Sequence, residues 1–300
     1  MTSMQTLRLR DQVQEAVAFV RPRLAEPPRV AIILGSGLGR FSERICQAEQ
    51  IDTAEIPYYP HSTVPGHAGR WFAGRLGATP VIAVQGRVHY YEGYDLKQVI
   101  FPVHLLASLG IEILIVTTAS GGLNPQFAAG DLMLITDQLN FTFTSPLTGR
   151  PEDQLGPRFP DMMHCYDPGL LEVARAAAQR LAIPLREGIF CWVTGPAYET
   201  AAEVRMLRLL GGDAVSMSTA PEVIAARQRH LRVLGISLIT NPGTGLSKVK
   251  LTHEEVTTTA DQAGTRLGNL LEAVVADLAE DRPGLGTETG AGSTGERRIG

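Results

Sequence analysis

The sequence predicts an α/β fold in a single domain, in which the strands of one sheet are joined by crossover helices. Apolar runs of strand length alternate along the chain with amphipathic stretches of helical length, and this alternation favours a sheet flanked by helices. The chain has 300 residues, of which 44% are hydrophobic and 19% charged, so it can bury a large core. Because regular α/β proteins of this size often form one domain, residues 1–282 are predicted to be a single domain.

The individual elements follow from hydrophobic periodicity and from helix-start signals. The first helix, residues 5–25, is amphipathic and is broken by Pro22. The last, residues 252–280, begins at Thr252, which has capping-box spacing with Glu255. Strands are predicted at 29–34, 70–75, 80–85, 111–117, 131–137, 187–194, 213–217 and 232–240, and the remaining helices at 95–109, 168–182, 199–210 and 220–230.

Three segments fall outside these elements. Residues 55–69 and 140–165 are rich in proline, glycine, histidine and polar side chains. They are long for simple connections, and long loops are often functional. Residues 283–300 are mostly glycine, threonine, serine and charged residues with little to bury, so this tail is predicted to be disordered.

Composition narrows the class of partner. The net charge is −4 and no basic block carries interleaved aromatic residues, which gives no support for nucleic-acid binding. The longest apolar stretches are strand-sized and no signal-peptide core follows the N-terminal arginines, so no membrane contact is predicted. Cys46, Cys165 and Cys191 are odd in number and widely spaced, which suggests reduced thiols in a cytoplasmic protein. No His/Asp/Cys cluster has metal-ligand spacing.

Residues 85–94, Gln-Gly-Arg-Val-His-Tyr-Tyr-Glu-Gly-Tyr, are the most informative segment. Arg87, His89 and Tyr91 follow a predicted strand at positions i, i+2 and i+4. If the extended conformation continues, the three side chains leave the same face. A guanidinium, an imidazole and a phenol together could bind a small oxyanion beside a hydroxylated ligand. The alternative is a surface strand whose charges are merely solvated.

Three further strand ends carry groups that suit an anion. Glycine-rich turns at 35–39 and 118–125 follow apolar strands, and glycines let backbone N–H groups approach an anion closely. Within 213–222, Thr219 and Glu222 have capping-box spacing and Pro221 lies near the first helical turn. Ser218 is therefore predicted at a helix N-terminus, where anions are favoured.

Taken together, these segments resemble the trimeric type of purine nucleoside phosphorylase. The matching segments occur in the family's order over roughly residues 30–260: 35–39, 66–69, 85–94, 119–124, 195–200, 217–222 and 240–241. The resemblance implies a central mixed, twisted sheet flanked by helices, and a homotrimer. It also implies phosphorolysis of purine ribonucleosides and deoxyribonucleosides, with inorganic phosphate as co-substrate and no cofactor or metal.

The resemblance also assigns residues to each part of the substrates. The phosphate site would comprise Ser36, His67, Arg87, His89, the backbone N–H of Ala119, and Ser218. Tyr91, Met217 and His253 would contact the ribose, with Met217 as a polarizable apolar wall. The segment 242–251 is about two residues shorter than in the family, and Pro242 stands where a lysine is common. The sequence is therefore equally consistent with His253 as a ribose contact and with His253 as a surface residue.

For the base, the resemblance implies Tyr198, Glu199 and Asn241, and it makes His89, Glu199 and Asn241 the catalytic residues. Glu199 can accept the N1–H of a 6-oxopurine, and Asn241 can accept from N7–H while it donates to O6. The pair thus predicts a preference for inosine and guanosine. Glu199 could instead be a first-turn helix acid, and Asn241 could belong to a plain turn. Leu155 aligns with a residue that covers the ribose of a neighbouring subunit in some relatives.

Other functions remain open at this stage. One is a phosphorylase for methylthioadenosine or another 6-aminopurine nucleoside, and another is a nucleoside-binding protein without catalytic activity. A nicotinamide-dependent oxidoreductase is disfavoured, because Gly35, Gly37 and Gly39 alternate and Arg40 takes the place of the last glycine in the dinucleotide fingerprint.

Overall fold

The computed structural model describes residues 7–64, 66–245 and 253–280, without the side chains of 253–262 and 280. The predicted tail at 283–300 and the predicted capping pair of Thr252 and Glu255 lie outside this description. The α/β class with one mixed sheet between helices is confirmed. Within the described residues, no helix combines the length and the apolar character that crossing a membrane requires.

In the part of the chain that the structure describes, a nine-stranded sheet forms the centre, in the order β2-β3-β4-β1-β5-β8-β7-β6-β9. Strand β9 also pairs with β5, so β5, β8, β7, β6 and β9 close into a ring. Pairs β1–β4 and β1–β5 are parallel, whereas β3–β4 and β6–β9 are antiparallel. The strands are β1 Val30–Leu34, β2 Cys46–Asp52, β3 Arg70–Leu76, β4 Thr79–Gln85, β5 Ile113–Gly122, β6 Leu132–Asn140, β7 Leu185–Trp192, β8 Ala214–Ser216 and β9 Arg232–Pro242.

The helices are α1 Leu9–Val20, α2 Leu96–Leu109, α3 Pro168–Arg180, α4 Ala201–Leu209, α5 Ala220–Gln228 and α6 His253–Glu280. Pro22 ends the first helix as predicted, within a short 3₁₀ turn at Arg21–Arg23. Helix α2 begins with a capping box between Asp95 and Gln98 and ends at Gly110, whose φ of 107° favours glycine.

Both faces of the sheet are covered, so central strands are buried on both sides. All five residues of β1 are buried. Its odd-numbered residues Ala31 and Ile33 pack in a core with α1, α2 and α5. The even-numbered residues of β1 pack on the opposite face with α3 and α6. A third, smaller core of Leu123, Cys191, Val204, Leu207 and Val215 lies under α4.

Strand β2 was not predicted from the sequence. Its side chains are exposed except for Ile51, so no alternation of apolar and polar residues marks it. Its pairing with β3 shifts register between Cys46 and Glu49, as at a β-bulge. Strand β5 is longer than predicted and continues to Gly122, which brings the predicted glycine turn at 118–125 partly into the sheet.

The carboxyl ends of β1 and β5 are joined by hydrogen bonds through the side chain of Thr117, and this contact positions the site. Thr117 Oγ1 donates to the carbonyl of Ile33 at 3.0 Å and accepts from the N–H of Gly35 at 3.0 Å. A Cβ at Gly35 would lie 2.8 Å from the Thr117 carbonyl oxygen, so only glycine fits this approach. The 35–39 turn is therefore held directly against β5.

Candidate active site

A cavity of about 110 Å³ opens near the carboxyl ends of β1, β5, β8 and β9. Ligands of α/β proteins commonly bind at such strand ends. The cavity brings together most of the residues predicted from the sequence, namely Ser36, His89, Tyr91, Ala119, Tyr198, Glu199, Met217 and Asn241. Arg87, His67 and Ser218 do not line it but are joined to it by hydrogen bonds.

Arg87 is buried, with 6% of its surface exposed, and its guanidinium is tightly held. Nη1 donates to the hydroxyls of Ser218 at 2.8 Å and Thr219 at 3.0 Å, and Nη2 donates to the carbonyl of Thr117 at 2.8 Å. Nε lies 3.5 Å from a carboxylate oxygen of Glu222. A fixed, desolvated guanidinium of this kind can bind an oxyanion strongly.

The two predicted phosphate-site histidines lie side by side, with ring centroids 5.2 Å apart. Ser36 Oγ is 3.0 Å from His67 Nε2, so the hydroxyl and the ring share a hydrogen bond. Burial lowers the pKa of His67 to about 4, and burial likewise lowers the pKa of His89. Both imidazoles are therefore neutral at neutral pH and can act as hydrogen-bonding groups rather than as fixed charges.

His89 is oriented by Glu92, which the sequence analysis left without a role. Glu92 Oε1 accepts from the His89 N–H at 2.7 Å and lies 3.0 Å from His89 Nδ1. Glu92 Oε2 accepts from the N–H of Thr63 at 2.5 Å. Burial raises the pKa of this carboxyl, but the hydrogen bonds from His89 and Thr63 outweigh it and bring the pKa to about 2.

The structure differs from the expected extended conformation of residues 85–94. Strand β4 ends at Gln85, Gly86 has a φ of 103°, and Tyr90–Glu92 form a 3₁₀ turn. Two hydrogen bonds close this turn: the N–H of Glu92 donates to the carbonyl of His89, and the backbone N–H of His89 donates to Glu92 Oε1. Two of the three predicted side chains still meet, because the rings of His89 and Tyr91 stack at 4.7 Å and both line the cavity, whereas Arg87 does not line it.

The predicted sugar contacts, Tyr91 and Met217, meet at Gly195. A Cβ at Gly195 would overlap the Met217 sulfur and lie 3.1 Å from a ring carbon of Tyr91. Gly195 has a φ of 67°, a conformation that favours glycine. The glycine therefore sets the position of the Met217 side chain against the cavity.

With the substrates that the sequence resemblance implies, we expect Gly195→Ala to raise the KM for nucleoside on the order of tenfold and to leave the KM for phosphate unchanged, because it displaces Met217 from the predicted sugar contact. Steady-state kinetics with each substrate varied in turn checks this. Gly211→Ala is the matched control, since Gly211 has a φ of 93° but no atom near its added Cβ. Equal effects of the two variants would contradict the assignment of Met217.

Glu199 faces the cavity from the residue before the N-cap of α4. The helix starts at Ala201, and Thr200 and Glu203 form its capping box. Glu199 is thus not the first-turn helix acid that the sequence left as an alternative, and the predicted helix start at 199 was two residues early. Burial raises the pKa of the Glu199 carboxyl, as expected for a group screened from water.

Asn241 lies at the end of β9 with its amide oriented by neighbours. Oδ1 accepts from Thr240 Oγ1 at 2.8 Å, and Nδ2 donates to the carbonyl of Pro242 at 3.0 Å. Among the described residues no other group uses this amide, which leaves one lone pair on Oδ1 and one N–H on Nδ2. Asn241 can therefore accept and donate one hydrogen bond each toward the cavity.

Of two further predicted residues, one has no described side chain and the other lies away from the cavity. The side chain of His253 is outside the described residues, and only its place at the start of α6 is described. Leu155 is 2% exposed and packs within its own chain, in the 3₁₀ turn Asp153–Leu155. As described, it is not available to cover the ribose of a neighbouring subunit.

The predicted capping box of Thr219 and Glu222 was wrong. Thr219 has a φ of 74° and a ψ of −56° and makes no side-chain cap. The N–H of Ala220 donates to the carbonyl of Ser218 at 2.9 Å, which makes Thr219 the centre of a γ-turn with positive φ. Such strain in a β-branched residue costs on the order of 1–3 kcal/mol and is typical of functional sites. Here the turn directs both hydroxyls at Arg87.

Sequence reasoning also missed several residues that complete the cavity. These are Val64, Ser120, Gly121, Val215, Ser216, Thr240, Gly243 and Thr244. Ser216 and Thr240 adjoin the predicted residues Met217 and Asn241, so a search of immediate neighbours could have found them. Val64 belongs to the 55–69 loop, which its length had marked as functional.

Three kinds of group therefore surround one cavity. They are candidate anion-binding residues such as Ser36 and His89, an apolar wall formed by Met217 and Tyr91, and the side chains of Glu199 and Asn241.

The chain matches the model of the Phosphorylase superfamily over residues 29–276. It is 47% identical over 268 residues to Purine nucleoside phosphorylase 1 of Bacillus subtilis (strain 168), covering 89% of this chain and 99% of that protein. It is 43% identical to Purine nucleoside phosphorylase of Bos taurus, covering 89% and 95%.

Among solved structures, that of Schistosoma mansoni purine nucleoside phosphorylase in complex with adenosine superposes with a TM-score of 0.85 at 32% identity. The match covers 89% of this chain and 97% of that one. The chain belongs to the phosphorylase superfamily and, within it, to the purine nucleoside phosphorylases. The resemblance to purine nucleoside phosphorylases seen in the sequence is therefore confirmed.

Proposed function

We propose that the protein cleaves 6-oxopurine nucleosides, namely inosine, guanosine and their deoxy forms, to the free base and pentose 1-phosphate. Inorganic phosphate is the co-substrate, and no metal or organic cofactor takes part. The observation that supports this most directly is the single cavity that joins Ser36 and His89 to Glu199 and Asn241. The two groups of residues suit the nucleophile and the leaving base, respectively.

In this proposal, phosphate lies beside Ser36, His89, Arg87 and Ser218 and attacks the anomeric carbon. The bond from that carbon to the base breaks as the new C–O bond forms, through an oxocarbenium-like state. Met217 and Tyr91 provide the wall beside the sugar. Holding the nucleophile close and excluding water provides much of the rate enhancement.

The leaving base carries away the bond's electrons. Hydrogen phosphate releases its proton as the sugar ester forms, and the base takes up one proton at N7 and so stays neutral. Asn241 can accept from that N7–H and donate to O6, while Glu199 accepts from N1–H. A 6-aminopurine presents a donor at position 6 and no N1 proton, so it fits this pair poorly. The preference for 6-oxopurines rests on this hydrogen-bond pattern.

The test is release of hypoxanthine from inosine with and without inorganic phosphate, in buffer containing EDTA. We expect release only with phosphate, together with ribose 1-phosphate. Adenosine and methylthioadenosine are assayed in parallel, because the structural relative from Schistosoma mansoni was solved with adenosine. Faster turnover of either 6-aminopurine nucleoside would refute the 6-oxopurine preference, and binding of inosine without turnover would indicate a non-catalytic binding protein.

We further propose a homotrimer in the cytoplasm. Phe143 and Phe159 are each 86% exposed on the 140–165 segment, and exposed aromatic side chains are typical of interfaces. Cys46, Cys165 and Cys191 are free thiols, which suits a reducing compartment. Sedimentation equilibrium should give three times the 32.3 kDa of one chain, and a monomer mass would contradict the trimer.

A further inference from the structure

The environment of Glu222 is not explained by packing or by helix capping. Its side chain is 6% exposed and lies in the first turn of α5. Among the described residues, its Oε2 has no hydrogen-bond partner, and neither does Nε of Arg87. The distance from Oε1 to that Nε is 3.5 Å, which is longer than a good charge-assisted hydrogen bond. A buried carboxylate with so little hydrogen bonding calls for an explanation.

Orientation of Arg87 does not need Glu222. Both hydrogens of Nη1 are used by Ser218 and Thr219, and Nη2 is tied to the Thr117 carbonyl. These contacts come from β5 and from the strained turn before α5, and they already fix the plane of the guanidinium. What Glu222 adds is therefore a negative charge beside a buried positive one.

The field of Glu222 extends into the phosphate site. Burial lowers the pKa of His89, and the charge of Glu222 is among the groups that act in the opposite direction. Burial raises the pKa of Tyr59, and Glu222 adds to that rise. In a desolvated site, a carboxylate near the anion-binding guanidinium weakens the attraction for a bound anion.

We propose that Glu222 modulates the phosphate site through Arg87: its charge partly neutralises the guanidinium and so limits how tightly phosphate binds. The inference deepens the proposed function, on which it rests. When phosphate enters, it becomes a second counterion of Arg87, in competition with Glu222. Weaker binding of phosphate also allows the phosphorylated sugar to leave after the reaction.

The test compares the affinity of inorganic phosphate for the full-length wild type and for Glu222→Gln by isothermal titration calorimetry. Glutamine keeps the shape and removes the charge, so Kd should fall on the order of tenfold. The KM for phosphate should fall with it, while the KM for inosine stays within about twofold. A purely structural role would instead raise the KM for phosphate and lower kcat. Unchanged or weaker binding of phosphate by Glu222→Gln would overturn the proposal.

Two further variants complete the experiment. Glu203→Gln is the matched control, because Glu203 occupies the same helical position in the real capping box of α4, and phosphate affinity should not change. Glu222→Asp keeps the charge but moves it away from Arg87, so its Kd should lie between those of the wild type and Glu222→Gln. Should Glu222→Gln not fold, Glu222→Asp decides, with a Kd equal to or above wild type counting against the proposal.

The failure of this inference can be told apart from failure of the proposed function. A wild-type protein that does not bind inorganic phosphate contradicts the function itself. Glu222 is wrongly assigned only where the wild type binds phosphate and removing the charge brings no tighter binding.

Discussion

Arg87→Lys is expected to lower kcat/KM for phosphate on the order of 10²-fold. A lysine retains the positive charge but loses the planar fork that reaches Ser218, Thr219 and the Thr117 carbonyl together. Removing one oriented donor from an anion site commonly has an effect of this size. Measurement of initial rates at varied phosphate and saturating inosine checks the expectation.

Arg175→Lys is the control for this substitution. Arg175 makes a similar forked contact with Glu187, but it does so at the surface between α3 and β7 and away from the cavity. We expect no change in either KM for this variant. If Arg87→Lys impaired inosine and phosphate binding to the same extent, a general distortion of the site would explain the result better than loss of a phosphate contact.

Asn241→Asp is expected to reverse the base preference. In the proposed function the amide donates to O6 of inosine, whereas a carboxylate can only accept and so matches the 6-amino group of adenosine. A site that loses a hydrogen bond to its substrate, and buries two acceptors against each other instead, discriminates strongly against that substrate. We expect kcat/KM for inosine to fall on the order of 10²-fold and adenosine turnover to rise, as measured with both nucleosides at fixed phosphate.

Asn269→Asp serves as its control, because Asn269 is an exposed residue of α6 that contacts Arg44. This variant should keep the base preference of the wild type. If Asn241→Asp used inosine as well as before and gained no adenosine activity, Asn241 would not recognise position 6 of the base. The partner of O6 would then have to be sought elsewhere in the cavity.

The buried elements were predictable because their sequence patterns reflect burial. Strand β1 is an uninterrupted apolar run and is buried at every residue, and Pro22 marked the end of α1. Strand β2 escaped prediction because it is exposed on both faces apart from Ile51. Its pairing depends on the antiparallel partner β3, which is a tertiary contact that local periodicity does not record.

Most residues of the candidate site could be named from the sequence, but the hydrogen bonds between them could not. Arg87, Ser218 and Glu199 were assigned from the segments that contain them. The roles of Glu92 and Glu222 depend on contacts that form only in the folded chain. Glu92, for example, accepts a hydrogen bond from Thr63, which lies 29 residues away in the sequence. Thr219 shows the same limit: its spacing from Glu222 fits a capping box, but in the fold it has a positive φ and its hydroxyl accepts from Arg87.

Closure of β5 onto β9 has a consequence for the behaviour of the protein at high concentration. Among the described strands, β2 is the one that pairs on a single side. A free edge invites strand addition by other molecules, and hence aggregation. Here that edge carries Glu49 and Asp52, and its bulge includes Gln47 with a φ of 51°. Charge and distortion together make the one available edge a poor template for polymerisation.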